Sequence, residues 1–253
     1  MTSLNAPAAD ADPKLGARRG PAERLGVGVV HDLVTAIVTG SVQPGELLPK
    51  ESELCDHFGV SRTVIRESMK RLEEKGLVQV VQGRGTEVSD PSEWNVLDRV
   101  VLNTMIENDD ELGILDELAV VRAQLESVMA AGVAGAHHDD DLAALTDAHD
   151  ELVAVRDQQE AFAAADVEFH ARLMAISGNH LAQGIARTLT RRARDYSRFY
   201  GAPGPEAVGL TIDEHRRILD AIIAGDAEAA SREMSEHITQ AWARRRIPGR
   251  TAE

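Results

Sequence analysis

Apolar residues recur at spacings of three and four along most of this chain, and that period predicts amphipathic helices. In the first part of the chain the pattern predicts helices over residues 25–39 and 50–58, and a third that begins at Ser61. Residues 77–81 and 86–88 alternate as short strands around a Gln-Gly-Arg-Gly turn. Two short helices joined by Gly59-Val60 and followed by a β-ribbon predict a winged helix-turn-helix.

The remainder of the chain shows helical periodicity without a convincing strand. Short links rich in Gly, Asn, Asp or Pro separate seven predicted helices: 93–107, 111–136, 139–157, 160–177, 180–200, 206–224 and 226–246. Regular helices with short links favour an antiparallel bundle. The predicted fold class is therefore mainly α, with a winged helix-turn-helix and its small β-ribbon wing followed by an all-α bundle.

The composition divides the chain into four predicted parts. Residues 1–24 are rich in Ala, Pro, Asp and Gly and are expected to form a disordered tail. Residues 25–90 form the winged helix-turn-helix. Residues 91–110 form a linker with the first helix of the second domain, and residues 111–248 form the helical domain itself.

Cysteine usage and hydropathy bear on location. A single cysteine, Cys55, excludes an internal disulfide and fits a reducing cytosol. No apolar run approaches the roughly 20 residues that span a bilayer, and the N-terminus lacks the apolar segment of a signal peptide. We therefore expect a cytoplasmic protein without a membrane partner.

The formal charge of −15 is unevenly distributed. Residues 1–90 hold 11 Lys+Arg and 13 Asp+Glu, a net charge of −2, and residues 91–253 hold the remaining 16 and 29, a net charge of −13. Phosphate binding requires a local basic face rather than a basic total. Contact with nucleic acid is therefore expected only in the first part.

The third predicted helix carries the candidate nucleic-acid face. Arg62, Arg66 and Lys70 recur every four residues, so they share one outward face, and Ser61 is a suitable N-cap. A solvated surface is the alternative, but a recognition helix presents its N-terminal residues to base edges. The glycines beside Arg84 would let the wing tip approach a groove closely.

A second set of residues has the chemistry of a metal site. Asp166 and His170 are spaced i,i+4 and so leave one face of a helix, while His215 and His237 lie on the apolar sides of two later helices. A single inward histidine is usually a hydrogen-bonded core residue, which remains the alternative for each. One carboxylate and three imidazoles together suit Zn²⁺, Ni²⁺ or Mn²⁺.

Residues 29–88 resemble the DNA-binding domain of the GntR family of bacterial transcription regulators. The matching pieces stand in order: Pro44-Gly45, Leu48-Pro49, Glu51, Glu53-Leu54, Phe58-Gly59-Val60-Ser61-Arg62, Val64, Arg66-Glu67, Leu72, Gly76-Leu77-Val78 and Gly83-Arg84-Gly85. The resemblance implies that Arg62 and Arg66 contact bases and phosphates, while Ser61 and Thr63 contact the backbone of double-stranded DNA. It also implies that Gly83 and Arg84 carry the wing tip into the minor groove.

The sequence departs from the family pattern after Leu48-Pro49. The family commonly has Ser at the next position and Arg two positions further, where this chain has Lys50 and Ser52. Lys50 is expected to replace part of the missing DNA contact. The departure puts the operator preference in doubt, but not DNA binding.

The second part resembles the FCD effector-binding domain of the FadR branch of this family. The matching runs are Asp166-Val167-Glu168-Phe169-His170, Leu173, Ser177-Gly178-Asn179, Glu214-His215 with Ile218, Ala221-Ile222, Gly225-Asp226, and Met234 with His237. The resemblance implies that Asp166, His170, His215 and His237 bind a divalent ion, with Zn²⁺ the first expectation and Ni²⁺ or Mn²⁺ possible alternatives. The stretch 94–98 and the helix count also resemble members that sense sugar acids.

Two further residues are candidate effector contacts. Arg122 matches an arginine in the family's Arg-x-x-Leu-Glu run, which implies that it clamps an effector carboxylate; pairing with Glu126 one turn later is the alternative. Asn179 either lines the pocket or caps a helix.

Other polar residues of the second part are interpreted structurally. The arginines Arg187, Arg191, Arg194 and Arg198 line either an anion pocket or a salt-bridged face. The run Arg244-Arg245-Arg246 suits a helix C-terminus. The histidines His137, His138, His149 and His180 are expected at the surface or in loops.

These observations favour a ligand-responsive regulator, usually a repressor, that releases its operator on binding a small carboxylate. The resemblance to the family implies that it is a homodimer on a palindromic operator. One alternative is a regulator for which the metal ion is itself the signal. Another is a metalloenzyme fused to a DNA-binding domain. No carboxylate or histidine stands out as a proton shuttle, because Glu168 points about 200° round the helix from Asp166.

Overall fold

The computed structural model of the chain describes residues 21–196 and 204–246. These residues form two compact units that divide between Val101 and Leu102. The predicted linker, residues 91–110, contains this division.

The first unit is a small helical domain with a β-ribbon. In the described residues its elements are α1 (Pro21–Val38), α2 (Glu51–Phe58), α3 (Arg62–Glu74), β1 (Val78–Val81), β2 (Gly85–Val88) and a 3₁₀ turn (Pro91–Glu93). α1, α2 and β1 all pack against α3. The core contains Val34, Ile37, Ile65, Leu72 and Leu77, each of which is almost fully buried. α3 is thus held on its inner face and exposed on its outer face.

Local sequence explains the tight turns of this unit. α2 ends at Gly59, which adopts the left-handed region at a φ of 63°, where a side chain would be strained. The Ser61 hydroxyl then caps α3 by accepting from the Val64 amide at 3.4 Å. β1 and β2 pair in antiparallel register, with Val78 opposite Val88. This arrangement confirms the winged helix-turn-helix.

The second unit is helical throughout its described residues. Its elements are α4 (Arg99–Glu107), which spans the division, α5 (Gly113–Gly135), α6 (Asp139–Ala154), α7 (Gln159–Ile176), α8 (His180–Arg194), α9 (Pro205–Ile223) and α10 (Ala227–Arg245). α5 packs against α7, α8, α9 and α10. Phe169, Leu173, Ile218 and Met234 lie at the centre of the core and are fully buried. The prediction of a mainly α fold with a helical second domain is confirmed.

Several predicted helix boundaries differ from those of the structure. α1 begins at Pro21 rather than at residue 25, and the fixed φ of proline suits a helix start. Residues 1–20 of the predicted tail, residues 1–24, lie outside the described part. α4 begins at Arg99 rather than at residue 93. The Asp98 carboxylate explains that start because it accepts from the amides of Val100 and Val101 at 2.8 and 3.2 Å. α8 ends at Arg194 with Asp195 as its C-cap, whereas the predicted helix continued to residue 200; residues 197–200 lie outside the described part.

α5 is, among the described residues, the one helix that is long and apolar enough to cross a membrane by length and composition. Half of its most apolar window is buried inside the bundle. It also carries the fully buried carboxylate of Glu126. A core helix of a bundle passes the same test, and α5 occupies that position.

Candidate metal centre and nucleic-acid interface

Three helices of the second unit bring four potential ligands to one point. α7 contributes Asp166 and His170, α9 contributes His215, and α10 contributes His237. One ligand atom from each lies within 4.8 Å of the others, and all four residues are buried. The predicted set is therefore assembled, although its members are spread over 72 positions of the chain. Metal binding by the set stays a prediction.

Each histidine presents its Nδ1 to a buried oxygen atom. His215 Nδ1 is hydrogen-bonded to the carbonyl of Thr211 at 2.7 Å, and His237 Nδ1 to Glu214 Oε2 at 2.8 Å. His170 Nδ1 lies 2.6 Å from Glu126 Oε2 as a close ion-pair contact without hydrogen-bond geometry. An oxygen at Nδ1 favours the tautomer with its proton there, which leaves Nε2 as the lone-pair nitrogen. Partners of this kind orient metal-bound histidines and raise their basicity.

The Nε2 atoms turn inward toward Asp166. His170 Nε2 and His237 Nε2 are 3.1 Å apart, and His215 Nε2 lies 3.5 Å from Asp166 Oδ1. The last two atoms are buried, and neither has a hydrogen-bond partner in the described part of the chain. Two ring nitrogens thus face each other across 3.1 Å, and two further buried polar atoms are unsatisfied.

A divalent cation fits this arrangement. Ligands about 2.1 Å from a metal ion are separated by roughly 3.0–3.4 Å in octahedral or tetrahedral geometry, and the two facing nitrogens are 3.1 Å apart. A cation would satisfy the lone pairs and the unpaired Asp166 oxygen together. The set of one carboxylate and three imidazoles matches the ligand preference of Zn²⁺ and of its neighbours in the first transition row.

The electrostatics of the cluster favour the protonation states needed for metal binding. Burial raises the pKa of the Asp166 carboxyl, but the neighbouring His170, His215 and Arg245 lower it further, and the net shift is downward. Burial lowers the pKa of His215 well below its usual value and also lowers that of His237. The carboxylate is therefore charged and these two imidazoles are neutral near pH 7, as coordination requires.

Two buried glutamates that serve the histidines were missed as site residues. Glu126 was considered only as a partner for Arg122, and Glu214 only as part of a family motif. In the structure both are almost fully buried. Glu214 lies next to His215 in sequence, and this was the available signal. Helix packing decides which histidine each glutamate faces, and the periodicity of the sequence does not specify that packing.

Arginines neutralise both of these glutamates. Arg122 Nε donates to Glu126 Oε1 at 2.9 Å, and Arg244 donates through both terminal nitrogens to Glu214 at 2.7 Å. Burial raises the pKa of Glu126, but Arg122 and His170 lower it further, to about 2. Arg244 therefore has a buried partner as well as its expected position at a helix C-terminus. Each buried glutamate therefore has an arginine as its ion-pair partner: Arg122 for Glu126 and Arg244 for Glu214.

A cavity of about 730 Å³ opens beside the ligand cluster. Its lining includes Asp166, His170 and Arg122, together with Arg187 and Arg191 of α8. The terminal nitrogens of Arg122 have no hydrogen-bond partner in the described part of the chain, since only its Nε is engaged. Arg122 therefore pairs with Glu126, as the alternative interpretation of its sequence position proposed, and it also lines the cavity.

The other residues expected near a pocket have varied positions. Asn179 caps α8, its side chain accepting from the Ala182 amide at 3.1 Å, and it does not line the cavity; its effector contact stays a prediction. Arg194 lines the cavity, and Arg198 lies outside the described residues. The surface prediction was wrong for His149, which is buried in α6 because it continues the apolar stripe of Leu145 and Leu152.

The first unit exposes all seven predicted DNA contacts: Lys50, Ser61, Arg62, Thr63, Arg66, Gly83 and Arg84. Four of these lie at the start of α3 or at its cap. Lys50 precedes α2, and its backbone amide donates to Glu53 at 3.2 Å. Gly83 and Arg84 form the tip between β1 and β2. Their DNA contacts stay predictions.

One ion pair links the two helices of the candidate interface. Arg66 Nε lies 2.9 Å from Glu51 Oε2, and both side chains are exposed. An exposed pair of this kind contributes about 0–1 kcal/mol, so it orients Arg66 without holding it away from a phosphate. At the wing, Arg84 lies 3.2 Å from Glu87.

The fold places this chain in the class of winged helix-turn-helix proteins that carry a second, helical domain. Residues 25–88 match the model for bacterial regulatory proteins of the gntR family, and residues 117–240 match the model for the FCD domain. The chain belongs to the GntR family, in the FadR branch, whose members carry an FCD domain. It is a regulator rather than an enzyme, because its domains and relatives are transcription regulators.

Relatives and solved structures agree with this assignment. The chain is 33% identical to the galactonate operon transcriptional repressor of Escherichia coli K12, over 80% of this chain and 88% of that protein. It is 27% identical to the fatty acid metabolism regulator protein of Klebsiella pneumoniae, over 76% and 79% of the two chains. The structure of Lar from Listeria monocytogenes is similar in fold alone, with a TM-score of 0.51 and 18% identity over 91% and 98%.

Proposed function

We propose that this protein is a metal-containing repressor that releases operator DNA when a small carboxylate binds in the FCD domain. The regulated genes would serve catabolism of an organic acid or a sugar acid. The observation that carries the proposal is the buried cluster of Asp166, His170, His215 and His237 beside an arginine-lined cavity. Neither feature is needed for DNA binding.

The proposed ion is Zn²⁺, held by one aspartate and three histidines. When bound, it would supply Lewis acidity and open coordination positions for a ligand oxygen. Glu126 and Glu214 keep His170 and His237 in the ligating orientation. Asp166 remains ionised, because its pKa is lowered. Ni²⁺ and Mn²⁺ are compatible with the same ligand types.

The carboxylate class of the effector rests on Arg122 and on one relative. The free terminal nitrogens of Arg122 form a planar fork that matches a carboxylate, and they belong to a residue that lines the cavity. The relative that represses the galactonate operon is 33% identical to this chain, and galactonate is a sugar acid. A related sugar acid, or a smaller hydroxy acid, is therefore the proposed effector.

Regulation requires that the effector distinguish two states of the protein. A ligand shifts DNA affinity only if it binds one state more tightly than the other. The proposed form is a cytoplasmic homodimer on a palindromic operator, because recognition helices of a dimer fit half-sites about one helical turn apart. Arg62 and Arg66 would read bases and phosphates, and Arg84 would enter the minor groove.

Metal analysis combined with DNA release tests this proposal. Purified protein is expected to carry about one divalent ion per chain, and His215→Ala should reduce the ion content by more than tenfold. His138→Ala, which replaces an exposed histidine outside the cluster, is the matched control. The cognate operator would be obtained by selection from genomic fragments, and release would be measured with aldonates, uronates, lactate and dicarboxylates.

The outcomes separate the competing functions. Release by one acid, lost in His215→Ala, supports the proposal. Release by a chelator alone, with every acid inactive, would instead make the ion the signal. Unchanged metal content in His215→Ala would refute the metal centre.

A further inference from the structure

Two arginines of α8, Arg187 and Arg191, lack a carboxylate partner, and both line the same cavity. Neither has an ion pair or side-chain hydrogen bond in the described part of the chain. The other described arginines from residue 102 onward lie within 4.0 Å of a carboxylate, except Arg245, whose charge acts on the neighbouring Asp166. Because acidic residues greatly outnumber basic ones here, unpaired arginines are unexpected, and their collection at one cavity requires an explanation.

Sequence spacing would allow one of these arginines a local partner. Asp195 lies four residues after Arg191 on α8 and so could form an i,i+4 pair with it. It instead lies 3.5 Å from Arg192. Arg191 therefore remains unpaired, although a carboxylate lies within one turn. If the arginines of α8 formed only a solvated face, we would expect Arg191 to pair with Asp195.

The unpaired arginines of α8 lie at a distance from the metal ligands. Arg194 Nη2 is 3.8 Å from Asp166 Oδ2, which fixes the inner end of the cavity-lining face of α8. Arg187 and Arg191 precede Arg194 by seven and three residues, or roughly 10 and 5 Å along the helix axis. Asp166 and His170 are buried, whereas Arg187 and Arg191 are exposed. The cavity thus has a buried end at the ligands and a cationic outer end.

The cavity is larger than a three-carbon acid requires. Its volume is about 730 Å³, whereas lactate has only six heavy atoms. Thr188 and Gln183 add neutral polar groups along the α8 wall. A ligand that spans the cavity would meet the metal ligands and Arg122 at one end and the α8 arginines at the other.

We propose that the effector carries two anionic groups: a carboxylate held at the metal end, and a second carboxylate or a phosphate held by Arg187 and Arg191. The inference rests on the proposed function and specifies the ligand class of the same site. Charge-assisted pairs with guanidinium groups are about twice as strong as neutral hydrogen bonds. The second anion would also relieve the repulsion among arginines that have no other partner.

Acids that share a carbon skeleton provide the test. The probes are D-gluconate, D-glucarate and 6-phospho-D-gluconate, with D-galactonate and galactarate as the epimeric pair. Titration calorimetry on full-length zinc-loaded protein should show a diacid or the phosphorylated acid binding at least about tenfold tighter than its monoacid. Comparison of D-glucarate with 6-phospho-D-gluconate identifies the second anion as carboxylate or phosphate.

Two double variants locate the discrimination. Arg187→Gln/Arg191→Gln should reduce the ratio of dianion to monoanion affinity to about one. Arg156→Gln/Arg216→Gln makes the same charge change at exposed, ion-paired arginines outside the cavity and should leave that ratio unchanged.

The result also separates the inference from the proposed function. Monoacid binding that depends on His215, with no preference for a dianion, would overturn the inference alone. A preference that persists in Arg187→Gln/Arg191→Gln would also overturn it. Absence of binding by every acid would refute the proposed function and the inference with it.

Discussion

Replacement of Glu126 tests whether a buried carboxylate outside the ligand set controls metal affinity. Its two oxygens lie 2.9 Å from Arg122 Nε and 2.6 Å from His170 Nδ1. Glu126→Gln preserves the shape of the side chain but removes its charge. The pKa of Glu126 is about 2, so the wild-type carboxylate is ionised throughout the neutral range and the variant differs from it in charge at every assay pH.

Two separate magnitudes are expected for Glu126→Gln. Loss of an oriented partner of a metal-bound histidine weakens metal binding by about 10–100-fold, which corresponds to about 1.4–2.7 kcal/mol. Breaking a buried ion pair from one side costs about 3–5 kcal/mol of stability. The Arg122 side chain is 13% exposed and borders the cavity, so its guanidinium retains access to water. We therefore expect a loss near 3 kcal/mol.

Chelator competition measures the first quantity, and urea unfolding of the metal-free protein measures the second. Asp220→Asn is the matched control, because it removes an exposed carboxylate that pairs with Arg216 outside the cavity. The double variant Arg122→Met/Glu126→Gln separates the two roles. Removing both charges should restore much of the stability, since a buried pair is often replaceable by apolar groups, but it should leave zinc affinity low.

Zinc affinity equal to wild type in Glu126→Gln would refute the role of this carboxylate at His170. Full recovery of zinc affinity in the double variant would show that the weaker zinc binding of Glu126→Gln came only from the unpaired charge of Arg122.

Three further changes have defined outcomes. Arg62→Ala and Arg66→Ala should each reduce the salt slope of operator binding by about one if they contact phosphates, measured by fluorescence anisotropy. Burial raises the pKa of Asp98, but Lys75 and backbone amides lower it further, so the net shift is downward. The stability that this carboxylate contributes is therefore present above its unfolded pKa of about 4 and is lost as pH falls. Urea titrations should show a loss of about 1 kcal/mol. Asn179→Ala should cost about 1 kcal/mol through the lost cap.

Each of these outcomes has its own control. Arg216→Ala should leave the salt slope unchanged, because this arginine pairs with Asp220 in the second unit. Asp98→Asn should reduce the loss of stability at acid pH in a plot of unfolding free energy against pH. An unchanged loss would show that other carboxylates cause it. Asn179→Asp preserves the cap, so effector affinity lost in both Asn179 variants would favour a pocket role over capping.

The parts of the fold that the sequence predicted are those fixed by local spacing. Helical periodicity placed α5 to α10, and the i,i+4 spacing of Asp166 and His170 placed both on one face of α7. Charged residues that become buried were harder to predict. Glu126 lies on α5 among residues of ordinary helical pattern, and only the packing of α5 against α7 brings it to His170.

Errors occurred where an end or a partner is set by tertiary contacts. The start of α4 depends on Asp98, whose carboxylate both caps the helix and accepts from Lys75 Nζ at 2.6 Å. The sequence contains that aspartate but does not show that Lys75 lies beside it. His149 continues an apolar stripe, yet histidine is intermediate between the usually buried and the usually exposed residue types. In both cases residue type and periodicity gave conflicting or incomplete signals. Tertiary packing determined where α4 begins and whether His149 is buried.

The two buried glutamates suggest how ligand and metal become coupled. His170, Glu126 and Arg122 form one continuous series of charged contacts, and His237, Glu214 and Arg244 form a second. Arg122 borders the large cavity, whereas Arg244 does not. A carboxylate that binds Arg122 therefore changes the electrostatic surroundings of Glu126, and through Glu126 those of His170. Because linkage is reciprocal, an acid that binds at Arg122 must alter metal affinity by the same factor by which the metal alters affinity for the acid.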